Sequence, residues 1–543
     1  MTKKFRFLSF LFYFFLTAFL YFSVVNSFFV SDDFDWVRRA QITPATFENY
    51  FLKNTDNTIG GGVYRPLTSL SFLIDYKIWG TNSFGYHLTN LFLFYFSAIF
   101  IFWLVFLLSQ NKWAAFLSGL VFLVLPNHAE AVSWISGRGD VLTVFFYLAA
   151  LISYIYFRIR DRWYFLAGSL ISFFLALLSK EMAITLPAVI IVYELFWHWP
   201  KIKPNWLTLL KQFYPLFLFA AVLSLYFYLR FINTKIFVGF YAAHELGIDI
   251  KHYVKTFFVT FFSNFSEAGD RHAAVSLLFN KWWIFFPVIL IFISSGYWII
   301  KKWREAKLLA FGALFFVIAT LPILPLSYAM NISEGDRFAY LPSVGIAIFA
   351  GLAFYFFIRY SRLKILPPVL VAIIIIYLGS SLFLKNSYWG EAGKISQALV
   401  QDFGKKVDLK EPQGIVLLTL PDNFHGAQVL RNGWFSAISI FYPDYKKDML
   451  LIMTRINLGS GVNGIWLAAK DGFLAAGIEG FFHGAREIKS ADYTLKVEGY
   501  DKKISSGKAI KIIFTKQFLE QMKDKKITFL APFYNTFEVL KLK

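Results

Sequence analysis

Between residues 125 and 146 the chain reads LPNHAEAVSWISGRGDVLTVFF, with His128, Glu130, Arg138 and Asp140 set between two apolar runs. VSDDFDW places Asp32, Asp33 and Asp35 directly after the first apolar segment. SKE supplies Lys180 and Glu181, and EGDRFAY supplies Glu334, Asp336, Arg337 and Tyr340. Carboxylates serve as general bases or hard metal ligands, and Arg presents a planar fork that matches phosphate oxygens. An ionisable group at the centre of a membrane helix costs roughly 2.5 to 3.5 kcal/mol on insertion scales, and less at the interface. Any one of these charges is therefore explained by a solvated loop or, for Lys180 and Glu181, by a structural ion pair in a helix bundle. Taken together they suit transfer from a lipid-linked phosphate, where a carboxylate takes the proton of an acceptor hydroxyl and a cation stabilises the leaving phosphate. The carboxylates and His128 also offer oxygen and nitrogen ligands to a divalent metal, but their spacing leaves a metal open.

The elements that must carry these groups are membrane helices. Of the 543 residues 57% are hydrophobic, 21% aromatic and only 16% charged, with 67 phenylalanines. Apolar stretches of about 18 to 25 residues recur, the length a helix needs to cross a bilayer. The pattern predicts a polytopic α-helical membrane protein of about eleven spans, centred near residues 18, 97, 120, 150, 171, 190, 218, 291, 318, 348 and 375. The net charge of +20 is carried mainly by short loops and the C-terminal part. That placement points to membrane orientation and anionic lipid, not to nucleic acid. There are no cysteines, which excludes disulfide and thiolate chemistry. The N-terminal apolar stretch is too long for a signal peptide and lacks a small-residue cleavage site, so it reads as a retained first helix.

With the N-terminal TKKFR placed in the cytoplasm, alternation puts SQNKW, RIRDRW, HWPKIKPNW, KKWREAK and RYSRLK on the cytoplasmic side. These are the basic loops, as the positive-inside rule requires. The four charged stretches then share the external face, together with a long first loop over residues 31–85. Within that loop TPATFENYFLKN reads as an interfacial amphipathic helix, and Pro66 leads into a shorter one. Arg65 and His87 add polar groups on the same face, either in the site or as interface anchors. An odd number of spans leaves the chain after about residue 385 outside. Residues 390–543 alternate short β-rich runs (GIVLLTL, DMLLIMT, KAIKIIFT) with expected helices (GKISQALVQDF, HGAQVLRNGWFSAISIF) and read as a soluble α/β domain attached to a membrane domain over 1–385.

Three segments in order, YRPLTSLSFLIDYKIWGTNSFGYHLTNLFL, LPNHAEAVSWISGRGDVLTVFFYLAALISY and LSKEMAITLPAVIIVYE, followed by SEGDRFAYLPSVG, resemble the transmembrane TPR-containing O-mannosyltransferases and their bacterial relatives. The resemblance covers roughly residues 25–350 and implies a GT-C glycosyltransferase with a polyprenyl-phosphate sugar as donor. It makes Asp32 and Asp33 the catalytic acidic motif, with one of them as base, and Asp140 the second acidic element. Glu130 and His128 stand beside Asp140 in the pocket or as metal ligands. It also assigns donor phosphate to Arg337, with Arg138 and Lys180 as further candidates. The chain departs from that family after the membrane part, where helical repeats are replaced by the expected α/β domain. LLTLPDNFHGAQVLRNG is similar to the tail of bacterial membrane glycosyltransferases without repeats, so the acceptor, whether protein, glycan or lipid, is not carried over.

Two other classes compete with the transferase. A transporter or flippase for a lipid-linked sugar should place polar residues deep in several spans and show an internal repeat, but here the charges gather at span ends and no repeat is visible. A capture protein with an inactive site would have no use for Asp32, Asp33, Asp140 and Arg337 together.

Overall fold

The structure is a computed structural model that describes residues 1–52, 63–198, 206–235, 250–266, 275, 303–326, 335–407, 413–445, 449–452, 455–457, 462–470, 473–483, 486–500, 506–521 and 526–540. It divides into two compact units. One comprises Met1–Val25 and Thr43–Asn386, the other Asn26–Ile42 and Ser387–Lys543. The acidic VSDDFDW stretch is thus counted with the C-terminal unit, a grouping that composition does not predict.

Among the described residues six helices are long and apolar enough to cross a membrane: Ser83–Ser109, Ile135–Arg160, Gln212–Thr234, Glu305–Ile323, Asp336–Tyr360 and Leu366–Lys406. Lys112–Val124 and Trp163–Ser179 are shorter apolar helices. The protein is an integral membrane protein by the length and composition of these elements. The other expected centres near residues 18 and 190 fall in helices Lys3–Leu20 and Leu186–Trp197, while the one near 291 lies outside the described residues. Polar punctuation sets the short turns. Gln110 closes Ser83–Ser109 at φ 55°, and the Asn111 side chain then accepts from Trp113 N and Ala114 N to start the next helix. Asp161 closes Arg138–Arg160 in the same left-handed way, at φ 50°.

Small residues set one close helix crossing. A Cβ on Gly345 would lie 2.4 Å from Phe316 N and 2.6 Å from the Gly312 carbonyl oxygen, so helices Trp303–Thr320 and Tyr340–Tyr360 meet backbone to backbone.

Three expectations need correction. TPATFENYFLKN does not form an amphipathic helix within the described residues. Only one wide turn, Glu48–Leu52, is helical, and its neighbouring Phe47 and Phe51 stack at 4.7 Å. The last apolar helix does not stop near 385 but runs from Leu366 to Lys406. Buried Trp389, Ala392, Ile395, Leu399, Val400 and Phe403 extend its helical periodicity. HGAQVLRNGWFSAISIF is helical only from Trp434 to Phe441. Its first half is a β-hairpin, because His425 and Gly426 both take positive φ (47° and 88°) and turn Leu420–Phe424 back onto Ala427–Gln428.

The C-terminal unit carries two sheets. In the four-stranded one the order is Thr536–Leu540, Lys526–Phe533, Gln413–Leu417, Met449–Leu451, and Gln413–Leu417 runs parallel to both of its neighbours. The larger sheet is built mainly on the antiparallel pairs of Phe473–His483 with Val462–Lys470 and Ser506–Phe514. Helices and strands together make this the α/β region read from composition.

Replacing Gly345 with Val should force the two helices apart and cost about 1 to 3 kcal/mol. The expected readout is a melting temperature in detergent lower by several degrees than that of wild type, with Gly168→Ala as a control, since a Cβ there would meet only Ser153 Oγ, at 3.9 Å.

Candidate functional site

In the membrane unit, the stretch read as an external loop is a buried scaffold. His128–Ser133 forms a short helix and Ile135–Gly137 one tight turn, before Arg138 begins the next long helix. Gly137 is required there, because a Cβ would come within 2.4 Å of the Ala131 carbonyl oxygen. Arg138 has no solvent exposure. Its Nε donates to Asn90 Oδ1 at 2.8 Å and one terminal nitrogen to the Tyr86 carbonyl at 2.6 Å, and the other pairs with Asp75. Asn90 in turn donates to the carbonyls of Val132, Trp134 and Ile135. The guanidinium thus joins helices Pro66–Trp79, Ser83–Ser109 and Arg138–Arg160. Nothing in the charge pattern marked Asp75 or Asn90 as its partners.

Two residues on, both Asp140 carboxylate oxygens accept from Lys180 Nζ at 2.7 Å, and both residues are buried. Glu181 pairs elsewhere. Arg65 donates to it from Nε at 3.2 Å and from a terminal nitrogen at 2.7 Å. Lys180 and Glu181 therefore do not bond each other but take partners from different segments. Glu130 holds Arg337 twice, accepting from its backbone N at 2.9 Å and from its guanidinium at 2.8 Å.

Phe338 links the Lys180 and Arg337 pairs. Lys180 Nζ lies 4.9 Å and the Arg337 guanidinium carbon 5.1 Å from its ring centroid, with Arg337 also 4.6 Å from the Trp134 ring. Burial, countered by Asp140 and reinforced by Arg65 and Arg337, holds the Lys180 ammonium below its ordinary pKa. Burial alone would raise Glu181, yet Arg65, with Lys180 and Arg230 adding to it, brings it down to about 2. Three cations and three carboxylates thus form a nearly neutral cluster. Asp336 beside it is paired with Lys385 at 3.0 Å, a partner the sequence did not reveal.

His128 is not a solvated loop residue. Its Nε2 lies 2.8 Å from Ser343 Oγ and its ring packs among Phe94, Phe122 and Tyr340. Burial pushes its pKa down to about 3. Glu130 is committed to Arg337 and His128 to Ser343, so these two do not fit a metal. Among the described residues no group of three or more His, Asp or Glu is placed to hold one. His87 is likewise buried.

The C-terminal unit holds Asp32, Asp33 and Asp35. Asp33 is buried and its Oδ2 accepts from Val30 N at 3.0 Å, which closes the turn into helix Asp33–Ile42. Asp32 is half-buried, and its Oδ1 accepts from Asn432 Nδ2 at 2.7 Å. Asp35 Oδ1 accepts from Ser436 Oγ at 2.5 Å. Burial, opposed by the Ser436 bond and helped by the neighbouring Asp32 charge, raises the Asp35 carboxyl to about 6. Sequence reading missed Asn432 and Ser436. The signal was present as LRNGWFS, but nothing in it named Asp32 and Asp35 as the partners.

No protein-family model matches the chain. Among curated proteins it is similar to protein O-mannosyl-transferase TMTC2 of Homo sapiens, 36% identical over 157 residues, 27% of this chain and 18% of that one. Protein O-mannosyl-transferase Tmtc1 of Drosophila melanogaster is 36% identical over 128 residues, 23% of this chain and 14% of that one. A longer match, to protein O-mannosyl-transferase F38B6.6 of Caenorhabditis elegans, is 24% identical over 314 residues, 54% of this chain and 42% of the relative. The chain thus spans less than half the length of these relatives. Its resemblance to the TMTC-type O-mannosyltransferases stands on these matches. Among solved structures it is similar to ArnT from Cupriavidus metallidurans (TM-score 0.43, 10% identity, 80% of this chain and 83% of that one). It is also similar to the Archaeoglobus fulgidus oligosaccharyltransferase (TM-score 0.46, 12% identity, 83% and 65%). At such scores these two carry no part of the reading below.

Two outcomes follow from the geometry. Arg138→Met should strand Asp75 and cost about 3 to 5 kcal/mol, read as a loss of folded protein in detergent. Because the fold holds Asp35 above its ordinary value, the stability it contributes is present at low pH and lost as pH rises from about 4 through about 6. Melting temperatures across that window should fall for wild type and flatten for Asp35→Asn.

Proposed function

We propose that the chain is an inverting GT-C glycosyltransferase that moves a monosaccharide, mannose first among the candidates, from a polyprenyl-phosphate carrier to an acceptor hydroxyl. The observation that carries this reading is the pair of cations on Phe338, Lys180 and Arg337, in a chain similar to protein O-mannosyl-transferases. The acceptor oxygen attacks the anomeric carbon from the face opposite the phosphate. The bond from that carbon to the phosphate oxygen breaks, and the electron pair leaves with polyprenyl phosphate, which gains a negative charge. Cations fixed beforehand in a poorly solvated place stabilise that charge without reorganisation.

The roles divide as follows. Asp32, the more accessible of the adjacent pair, takes the hydroxyl proton, and buried Asp33 shapes the turn that presents it. Arg337 and Lys180 face the donor phosphate, held by Glu130 and Asp140 respectively. Arg138, fully buried and bonded to Asn90, Asp75 and Tyr86, acts as scaffold and not as a phosphate ligand. Arg65 shapes the cluster through Glu181. The distribution of basic loops supports a cytoplasmic N-terminus with the site and the C-terminal region external.

The test supplies purified protein in nanodiscs with labelled polyprenyl-phosphate mannose and, separately, other polyprenyl-phosphate sugars, and follows release of polyprenyl phosphate. Asp32→Asn should lower kcat by about 10² to 10⁴, the usual range for losing a general base. Arg337→Ala should weaken donor use. No turnover with any donor, together with donor binding that survives Asp32→Asn and Asp33→Asn, would replace this reading with a transporter or capture protein.

A further inference from the structure

The acidic stretch at Asp32 is shaped by the Asp422–Ser436 segment, more than 380 residues later. Ser31, fully buried, sits at φ 48°, a conformation that non-glycine residues rarely adopt and that persists only where neighbours fix it. Its backbone N donates to the Val429 carbonyl at 2.8 Å, and its Oγ accepts from Asn432 N at 3.3 Å. Gly433 follows at φ 77°, where a Cβ would lie 2.2 Å from the Ser31 carbonyl oxygen, so no side chain fits. The Asp422–Ser436 segment is itself cross-braced by hydrogen bonds. Arg431 donates to both Asp422 oxygens, at 2.6 and 2.7 Å, while Val429 N and Leu430 N bond the Asp422 and Pro421 carbonyls. Two side chains then reach the acidic stretch from this support, Asn432 to Asp32 at 2.7 Å and Ser436 to Asp35 at 2.5 Å. Behind them Phe28 and Phe34 pack on Phe441 of helix Trp434–Phe441.

We propose that Asn432 is a positioning residue for the reaction: its amide holds one oxygen of Asp32 and so directs the other at the acceptor hydroxyl. The Asp422–Ser436 clasp makes the C-terminal unit part of the apparatus that sets the base. The inference rests on the transferase reading, in which Asp32 is the base. A carboxylate that swings freely spends much of its time misaimed, and a displacement of about 1 Å at a reacting group can cost about 10² in rate.

The test measures kcat and donor KM for wild type, Asn432→Ala, Asn432→Gln and Asn432→Asp. The alanine variant should lose about 10² in kcat with donor KM changed by no more than about twofold. Glutamine, which keeps the donor, should recover part of the loss. Aspartate, which sets a carboxylate against Asp32, should recover none. Equal kcat for wild type and Asn432→Ala, or a loss confined to KM, overturns the proposal. If wild type itself releases no polyprenyl phosphate from any donor, the transferase reading fails, and the clasp is judged separately. The chain has no cysteine, so a Ser31→Cys, Asn432→Cys protein can form only that one disulfide within a molecule. A cross-link on mild oxidation supports the clasp, and its absence from folded protein overturns it.

Discussion

A guanidinium with no exposure to solvent cannot be neutralised by losing its proton, so its surroundings must satisfy it. Arg138 is that group, and the membrane unit is arranged to meet its demand. Asp75 supplies charge, Asn90 and the Tyr86 carbonyl supply acceptors, and Asn90 spends its own donors on three carbonyls of the turn that leads into Arg138. Three helices and one tight turn are thereby fixed to a single planar cation. The helix that begins at Arg138 also carries Asp140, so the position of Lys180 follows from this network.

The cluster of ion pairs in the membrane unit obeys a related constraint. Each cation has a carboxylate partner from a distant part of the chain: Arg65 with Glu181, Lys180 with Asp140, Arg337 with Glu130. Pairing lets so many charges gather at low solvent exposure. In the proposed reaction the leaving phosphate strengthens its hold on cations already in place, and preorganisation of this kind matters more than net charge.

In the C-terminal unit the ordering principle is backbone geometry. Ser31 and Gly433, both at positive φ, meet at a contact too close for a side chain on the glycine. Asp32 and Asp35 are then held by neutral donors, an amide and a hydroxyl, and not by cations. This difference separates them from the ion-paired carboxylates of the membrane unit.

The sequence by itself determined the membrane class, the positions of the apolar helices found among the described residues, the strand-bearing C-terminal region and the stretches where ionisable groups concentrate. Hydrophobic runs and charge placement are one-dimensional properties, set by bilayer thickness and the cost of burying charge. It also pointed to the TMTC-type resemblance through motifs kept in order. Tertiary structure alone decided the partners. Arg138 took its partners Asp75 and Asn90 from 63 and 48 positions away along the chain. Lys180 left its neighbour Glu181 for Asp140, and Asp32 gained Asn432 across 400 positions. Periodicity reports which face of an element is apolar, but not which distant polar atom completes a hydrogen bond. That choice depends on how helices cross and where strained turns place the backbone.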